Sequence, residues 1–274
     1  MNWIIASILM LVSSVGLYLF VRKSNTLKTP QQLINLAMFL VPVVVYLIMT
    51  VGTPTDFALE PFEYLLIIIQ AIFFSYLGNV FSLKGIEYAP NPGYSLIISR
   101  SYVVFTAIAS IYLFDSPLTA KSVVAIICII LFAALIAIDK DRDKSGSNAA
   151  WLPYTVGAFF CAGFSALSSK YLLNLGVLIL TRLIYSMLLV TILIIGEIVV
   201  KKVDIKNTSR PQLLTLLMIG IFGASFNYFM QVAFNLAPNV GYVNATNAAS
   251  ISLLTIMSYV IFKDALSIKK MIGI

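Results

Sequence analysis

Arg100, Asn79, Asn227, Asn244 and Asn247 each fall inside a run of Leu, Ile, Val, Ala and Phe. An amide or guanidinium in such a run needs a hydrogen-bonding partner, a counter-charge or water. Asn244 and Asn247 stand one helical turn apart, and Thr255 and Ser258 continue their face. Ser95, Ser99, Tyr102, Thr106 and Ser110 draw a second polar stripe, and Gln231 follows Asn227 by one turn. These side chains donate and accept hydrogen bonds, but no nucleophile stands beside a base. The chemistry on offer is the holding of a polar solute. Arg100 is the natural counter-ion if that solute is anionic. For the paired asparagines the expected partner is water in a hydrated cavity.

Other polar residues have plainer readings. Serines at helical spacing in apolar runs usually mark close helix packing. Arg182 and Glu197, nearer the ends of their run, read as side chains that snorkel to the interface. Lys84 and Glu87 read as interfacial. The sequence contains no His, which removes the commonest proton shuttle and a usual metal ligand. It shows no phosphate-binding loop, metal-ligand pair or nucleophile elbow. No enzyme activity, cofactor or metal is expected, so any energised process must draw on an ion or solute gradient. Cys128 and Cys161 both lie in apolar runs and predict no disulfide framework.

The elements that position these residues follow from composition. The 274 residues are 60% hydrophobic and 11% charged, with a mean hydropathy of +0.98. A water-soluble fold needs far more polar residues to cover its surface. The pattern predicts an all-α integral membrane protein, with spans at roughly 3–21, 30–51, 62–83, 93–114, 121–138, 151–170, 177–200, 211–234 and 240–262. A tenth span begins near Lys269. The net charge of +7 sits mostly in short connections beside these spans, where it meets lipid headgroups rather than nucleic acid.

One motif occurs twice. Ala89-Pro90-Asn91 with Gly93-Tyr94 recurs as Ala237-Pro238-Asn239 with Gly241-Tyr242, 148 positions later. Each copy is read as a helix stop followed by a new start. Asn91 and Asn239 serve as N-caps, and Pro92 suits a first turn. Tyr94 and Tyr242 then sit beside helix N-termini, where they can help close a solute path. The same shift, without any gap, sets Trp3 on Trp151, Asn79 on Asn227, Phe81 on Phe229, Ser110 on Ser258 and Phe114 on Phe262. The chain is therefore read as two repeats, 1–140 and 149–274, joined by 141–148. The shift covers five spans, an odd number, so the second repeat enters the membrane inverted. Ten helices are expected, with the chain stopping just inside the tenth.

These features resemble the drug/metabolite transporter superfamily, in particular its duplicated EamA-type members. The likeness covers nearly the whole chain. It includes an acidic turn after each fourth helix, here Asp115-Ser116-Pro117-Leu118-Thr119 and Lys263-Asp264-Ala265-Leu266-Ser267. Where that family usually has Glu two residues before the Leu, this chain has Ser116 and Asp264. The resemblance implies a ten-helix carrier of the plasma membrane, with a cavity lined by the first, third and fourth helices of each repeat. It also implies cytoplasmic termini. The Lys and Arg count opposes this: Arg22, Lys23, Lys28, Lys201, Lys202, Lys206 and Arg210 fall on the side that would place the N-terminus outside. Both orientations stay open.

The function expected is secondary transport of a small polar metabolite, anionic or zwitterionic in the manner of an amino acid, by alternating access. Arg100, Asn79, Asn227, Asn244, Asn247, Ser99, Gln231, Tyr94 and Tyr242 are the expected solute contacts. Lipids, the solute and a coupling ion are the expected partners, with monomer and homodimer both open. The alternatives are a lipid or lipid-linked sugar translocase and a non-transporting membrane scaffold.

Overall fold

The computed structural model describes residues 1–53, 55–89, 92–137, 151–205 and 207–263. The 141–148 connection, the expected cap Asn91, the acidic Asp264 and the expected tenth helix lie outside the described residues. Among those residues the regular structure is helical throughout. In chain order it comprises α1 (Trp3–Thr26), α2 (Gln31–Thr50), α3 (Pro61–Ile69), a π-helical segment (Gln70–Tyr76) and α4 (Leu77–Tyr88). Then come α5 (Pro92–Arg100), α6 (Tyr102–Phe114), α7 (Ala120–Ala137) and α8 (Trp151–Asn174). The last three are α9 (Ile179–Val200), α10 (Arg210–Leu236) and α11 (Val240–Phe262). Eight segments are long and apolar enough to cross a bilayer, and a shorter apolar helix runs over Ala120–Phe132. By length and composition this is a multi-pass membrane protein.

Local chemistry sets the helix ends. Asn2 caps α1, its side chain accepting from the Ile5 N–H at 2.9 Å. The α3 entrance is a capping box: Glu60 accepts from the backbone at the third helical position, and Glu63 accepts from the Glu60 N–H at 2.9 Å. At the other end of that stretch, Ala89 is already extended, with ψ 143°, because the residue before a proline is pushed out of the helical region. The expected span at 62–83 therefore runs on to Tyr88.

Two spans expected to be continuous are interrupted. The third carries the π segment between α3 and α4. The fourth breaks at Ser101, whose N–H is shared between the Ile97 and Ile98 carbonyls while its Oγ donates to Ile97 O at 2.8 Å. A serine bonding back to its own helix competes with the regular ladder and tightens the turn. Hydropathy averaged over a span is blind to both features.

The described chain forms two compact units. Unit 1 comprises Met1–Ile72 and Leu172–Asn235; unit 2 comprises Phe73–Tyr171 and Leu236–Ile274. In unit 1, α2 packs along α9, and α3 also meets α9. Tyr46, Leu183, Ile184, Met187 and Ala224 form a buried cluster. Helix α1 lies against α10, where Phe20 stacks on Phe222 at 5.6 Å and Ser13 Oγ donates to Ser225 Oγ at 3.1 Å. In unit 2, α11 packs on α6 and α7, and α5 packs on α4 and α7. Phe105 of α6 meets Phe159, Phe160 and Phe164 of α8 with ring centroids 5.4–5.9 Å apart.

Candidate functional site

Most of the expected solute contacts belong to unit 2, and there the second motif is fully engaged in structure. Asn239 caps α11 as expected, its Oδ1 accepting from the Gly241 N–H at 2.8 Å. Its Nδ2 donates to the Ala107 carbonyl of α6 at 3.2 Å. Gly241 leaves room for that approach, since a Cβ at this position would collide with Ala107. Tyr242 donates from its hydroxyl to the Pro117 carbonyl at 3.0 Å, which ties the start of α11 to the turn after α6. Asn244 is 2% exposed and donates to Thr106 Oγ1 at 3.0 Å. The partner expected to be water is a threonine of the neighbouring helix. Asn247 is buried on the same helix.

The first motif presents a looser arrangement. Tyr94, Ser99 and Arg100 are half-buried on α5, and Asn79 is half-buried on α4. Ser99 Oγ turns back to the Leu96 carbonyl at 3.2 Å. Arg100 closes α5 beside the Ser101 break and is engaged by its surroundings. One turn into α5, Ser95 shares a 2.8 Å hydroxyl contact with Thr155 of α8. Gly85 of α4 makes space for both of those side chains.

Unit 1 holds the arrangement that sequence reasoning missed. Arg182, read above as snorkelling, is 4% exposed; its head is inside the helix cluster. Its Nη1 donates to Gln231 Oε1 at 2.6 Å, and Gln231 is 1% exposed. The Arg182 Nε is buried with no hydrogen-bond partner among the described residues. Tyr46, wholly buried, lies within electrostatic reach of Arg182 and Tyr228. Its own hydroxyl donates to the Ala224 carbonyl at 2.7 Å. The group hydrogen-bonded to the guanidinium is thus an uncharged amide. A buried cation without a paired anion costs several kcal/mol.

The same unit holds a cavity of about 400 Å³ whose lining includes Thr53, Thr55, Ile179, Tyr228 and Asn235; Arg182 and Gln231 are not among its lining residues. Tyr228, Gln231 and Asn235 recur at helical spacing on α10, so Gln231 shares the face that lines the cavity. On α9 the lining residue Ile179 stands one turn before Arg182. The 55–60 connection, whose Thr55 lines the cavity, is strapped down by α9: Thr181 donates to the Asp56 carbonyl at 2.6 Å and Tyr185 to the Phe57 carbonyl at 3.1 Å. Asn227, half-buried, donates to the Gly223 carbonyl at 2.8 Å.

Gln231 was therefore legible as a polar residue in an apolar span, whereas the burial of Arg182 was not.

No protein-family model and no curated protein matches this sequence. Solved structures do: 27 chains resemble it in fold. One, known simply as "Crystal structure of protein", superposes with a TM-score of 0.81 over 98% of this chain and 91% of its own, at 14% identity. At that identity the likeness shows the helical fold alone.

Proposed function

We propose that this chain is a secondary transporter of the drug/metabolite type, set in the plasma membrane, that moves a small polar metabolite by alternating access. Its two halves are read as inverted five-helix repeats. The observation that carries this reading is the recurrence of backbone features 148 positions apart. Helices α1 and α8 begin at Trp3 and Trp151 and end at Thr26 and Asn174. Helices α2 and α9 begin at Gln31 and Ile179; α4 and α10 end at Tyr88 and Leu236. The pair α5–α6 opens at Pro92 and closes at Phe114, where α11 has Val240 and Phe262. Left-handed residues recur at the same shift, with Lys28 matched by Gly176 and Asp115 by Lys263.

Packing within each unit adds support. In unit 1 a Cβ at Gly16 would run into Phe222, and in unit 2 Phe164 meets Phe74 at 5.6 Å. Shifting both partners of the first contact by 148, in opposite directions, gives the second. Helix one of each copy thus packs on helix three of the other. Intertwined repeats of this kind are the usual frame for a carrier whose solute site opens alternately to either side. The half-buried Asn79 and Asn227, also related by the shift, are kept as solute contacts.

The test is reconstitution of the chain in liposomes with a panel of labelled amino acids, small carboxylates and neutral polar metabolites. Uptake that saturates and speeds up when unlabelled solute is preloaded is the expected result. Leakless vesicles of folded protein with no flux for any member would overturn the reading.

A further inference from the structure

We propose that the cavity of unit 1 is the carboxylate-binding end of the solute site, with Arg182 as the group that holds the carboxylate. The inference rests on the transport reading for its physiological role, but the binding it asserts stands separately. A guanidinium carries five N–H donors in a planar fork suited to a carboxylate. Here one donor meets a neutral amide at 2.6 Å and the Nε–H meets nothing among the described residues. Neither Arg182 nor Gln231 lines the 400 Å³ cavity itself; Ile179, one turn before Arg182, and Tyr228 and Asn235, one turn to either side of Gln231, do. That volume falls within the roughly 300–1,000 Å³ usual for small-molecule sites.

The choice of Gln rather than Glu at position 231 is what leaves the charge available. A carboxylate there would neutralise Arg182 permanently; the amide orients the fork by accepting one hydrogen bond and keeps its charge for a visitor. Tyr46 and Leu183 belong to the buried cluster of the same helices, and a low-dielectric interior strengthens the attraction of a guanidinium for an anion. A carboxylate entering the cavity would satisfy the orphan donor and supply the missing counter-charge together. A neutral polar solute could do only the first.

The experiment measures ligand-induced thermal stabilisation of the full chain in detergent at fixed ionic strength. The probes are acetate, lactate and L-alanine, each compared with its amide. Expected is stabilisation by the acids at concentrations about 10- to 100-fold below those their amides need, the range a hydrogen-bonded charge provides. In Arg182→Gln that preference disappears. Because removing a buried arginine can impair folding, Gln231→Glu supplies the second arm. It pairs the charge internally, so it is expected to melt at or above the parent temperature while losing its response to the acids. Acids and amides acting alike on the parent, or an unchanged preference for acids in Gln231→Glu, would overturn the proposal. Acid binding without flux would leave the site in place and remove the transport reading. Flux confined to neutral solutes and unchanged in Gln231→Glu would do the reverse.

Discussion

Asn239 and Gly241 show how much structure two residues of a repeated motif can hold. The asparagine satisfies a helix N-terminus with its oxygen and a neighbouring helix with its nitrogen; the glycine permits the contact by lacking a Cβ. Asn239→Ala is expected to lose about 1 kcal/mol through the cap alone, and Gly241→Ala about 1–3 kcal/mol through overpacking against Ala107. Both should lower the unfolding temperature in detergent. Gly52→Ala is the control, since a Cβ there meets nothing within 4 Å, and it should leave that temperature unchanged. The cap was legible in the sequence because Asn before a helical run has one evident use. The cross-tie to Ala107 was not, because its acceptor lies 132 residues away. The same distance problem hid the Arg182–Gln231 pair, separated by 49 residues, and supplied Asn244 with Thr106 where water was expected.

At the scale of elements, the spans were legible almost throughout, since some twenty apolar residues leave a chain few choices in a bilayer. The interruptions were not. Ser101 looks like any small polar residue of a packed helix until its hydrogen bonds are drawn. The π segment at 70–76 has no marker in hydropathy, and its counterpart within α10 is regular helix. The chain passes from unit 1 to unit 2 inside that segment, between Ile72 and Phe73. A further element-scale feature is the strap from α9 onto the 55–60 connection beside the cavity. Removing it with Thr181→Val and Tyr185→Phe deletes both of these hydrogen bonds to the connection, each worth about 0.5–1.5 kcal/mol, together with the 3.3 Å hydroxyl contact of Tyr185 with Tyr64. Limited proteolysis of the 53–60 stretch should then run about tenfold faster, with little change in the overall melting temperature. An unchanged cleavage rate would mean the strap does not hold the connection closed.

Across the whole molecule, the proposed duplication brings under one shift observations that hydropathy leaves separate. Shared helix ends, shared left-handed residues and exchanged helix contacts all recur at one shift. The shift itself was readable from two copies of a short motif. The packing of α1 on α10 and of α8 on the 70–76 segment needed coordinates, because a sequence shift does not say which helices meet. Alternating access also predicts where reagents reach. With Cys128 and Cys161 replaced by Ser, a cysteine introduced at Tyr228 in the cavity should label from one face of the membrane. Added solute should change the labelling rate. A rate indifferent to solute would argue against a moving site.

The most direct test of transport is counterflow in proteoliposomes. Vesicles preloaded with unlabelled L-alanine or lactate receive a trace of the labelled compound outside. The expected result is a transient overshoot of label inside, present with the parent chain and absent with Gln231→Glu. Equilibration without overshoot for every solute tried, from protein shown to be folded, would contradict a carrier mechanism.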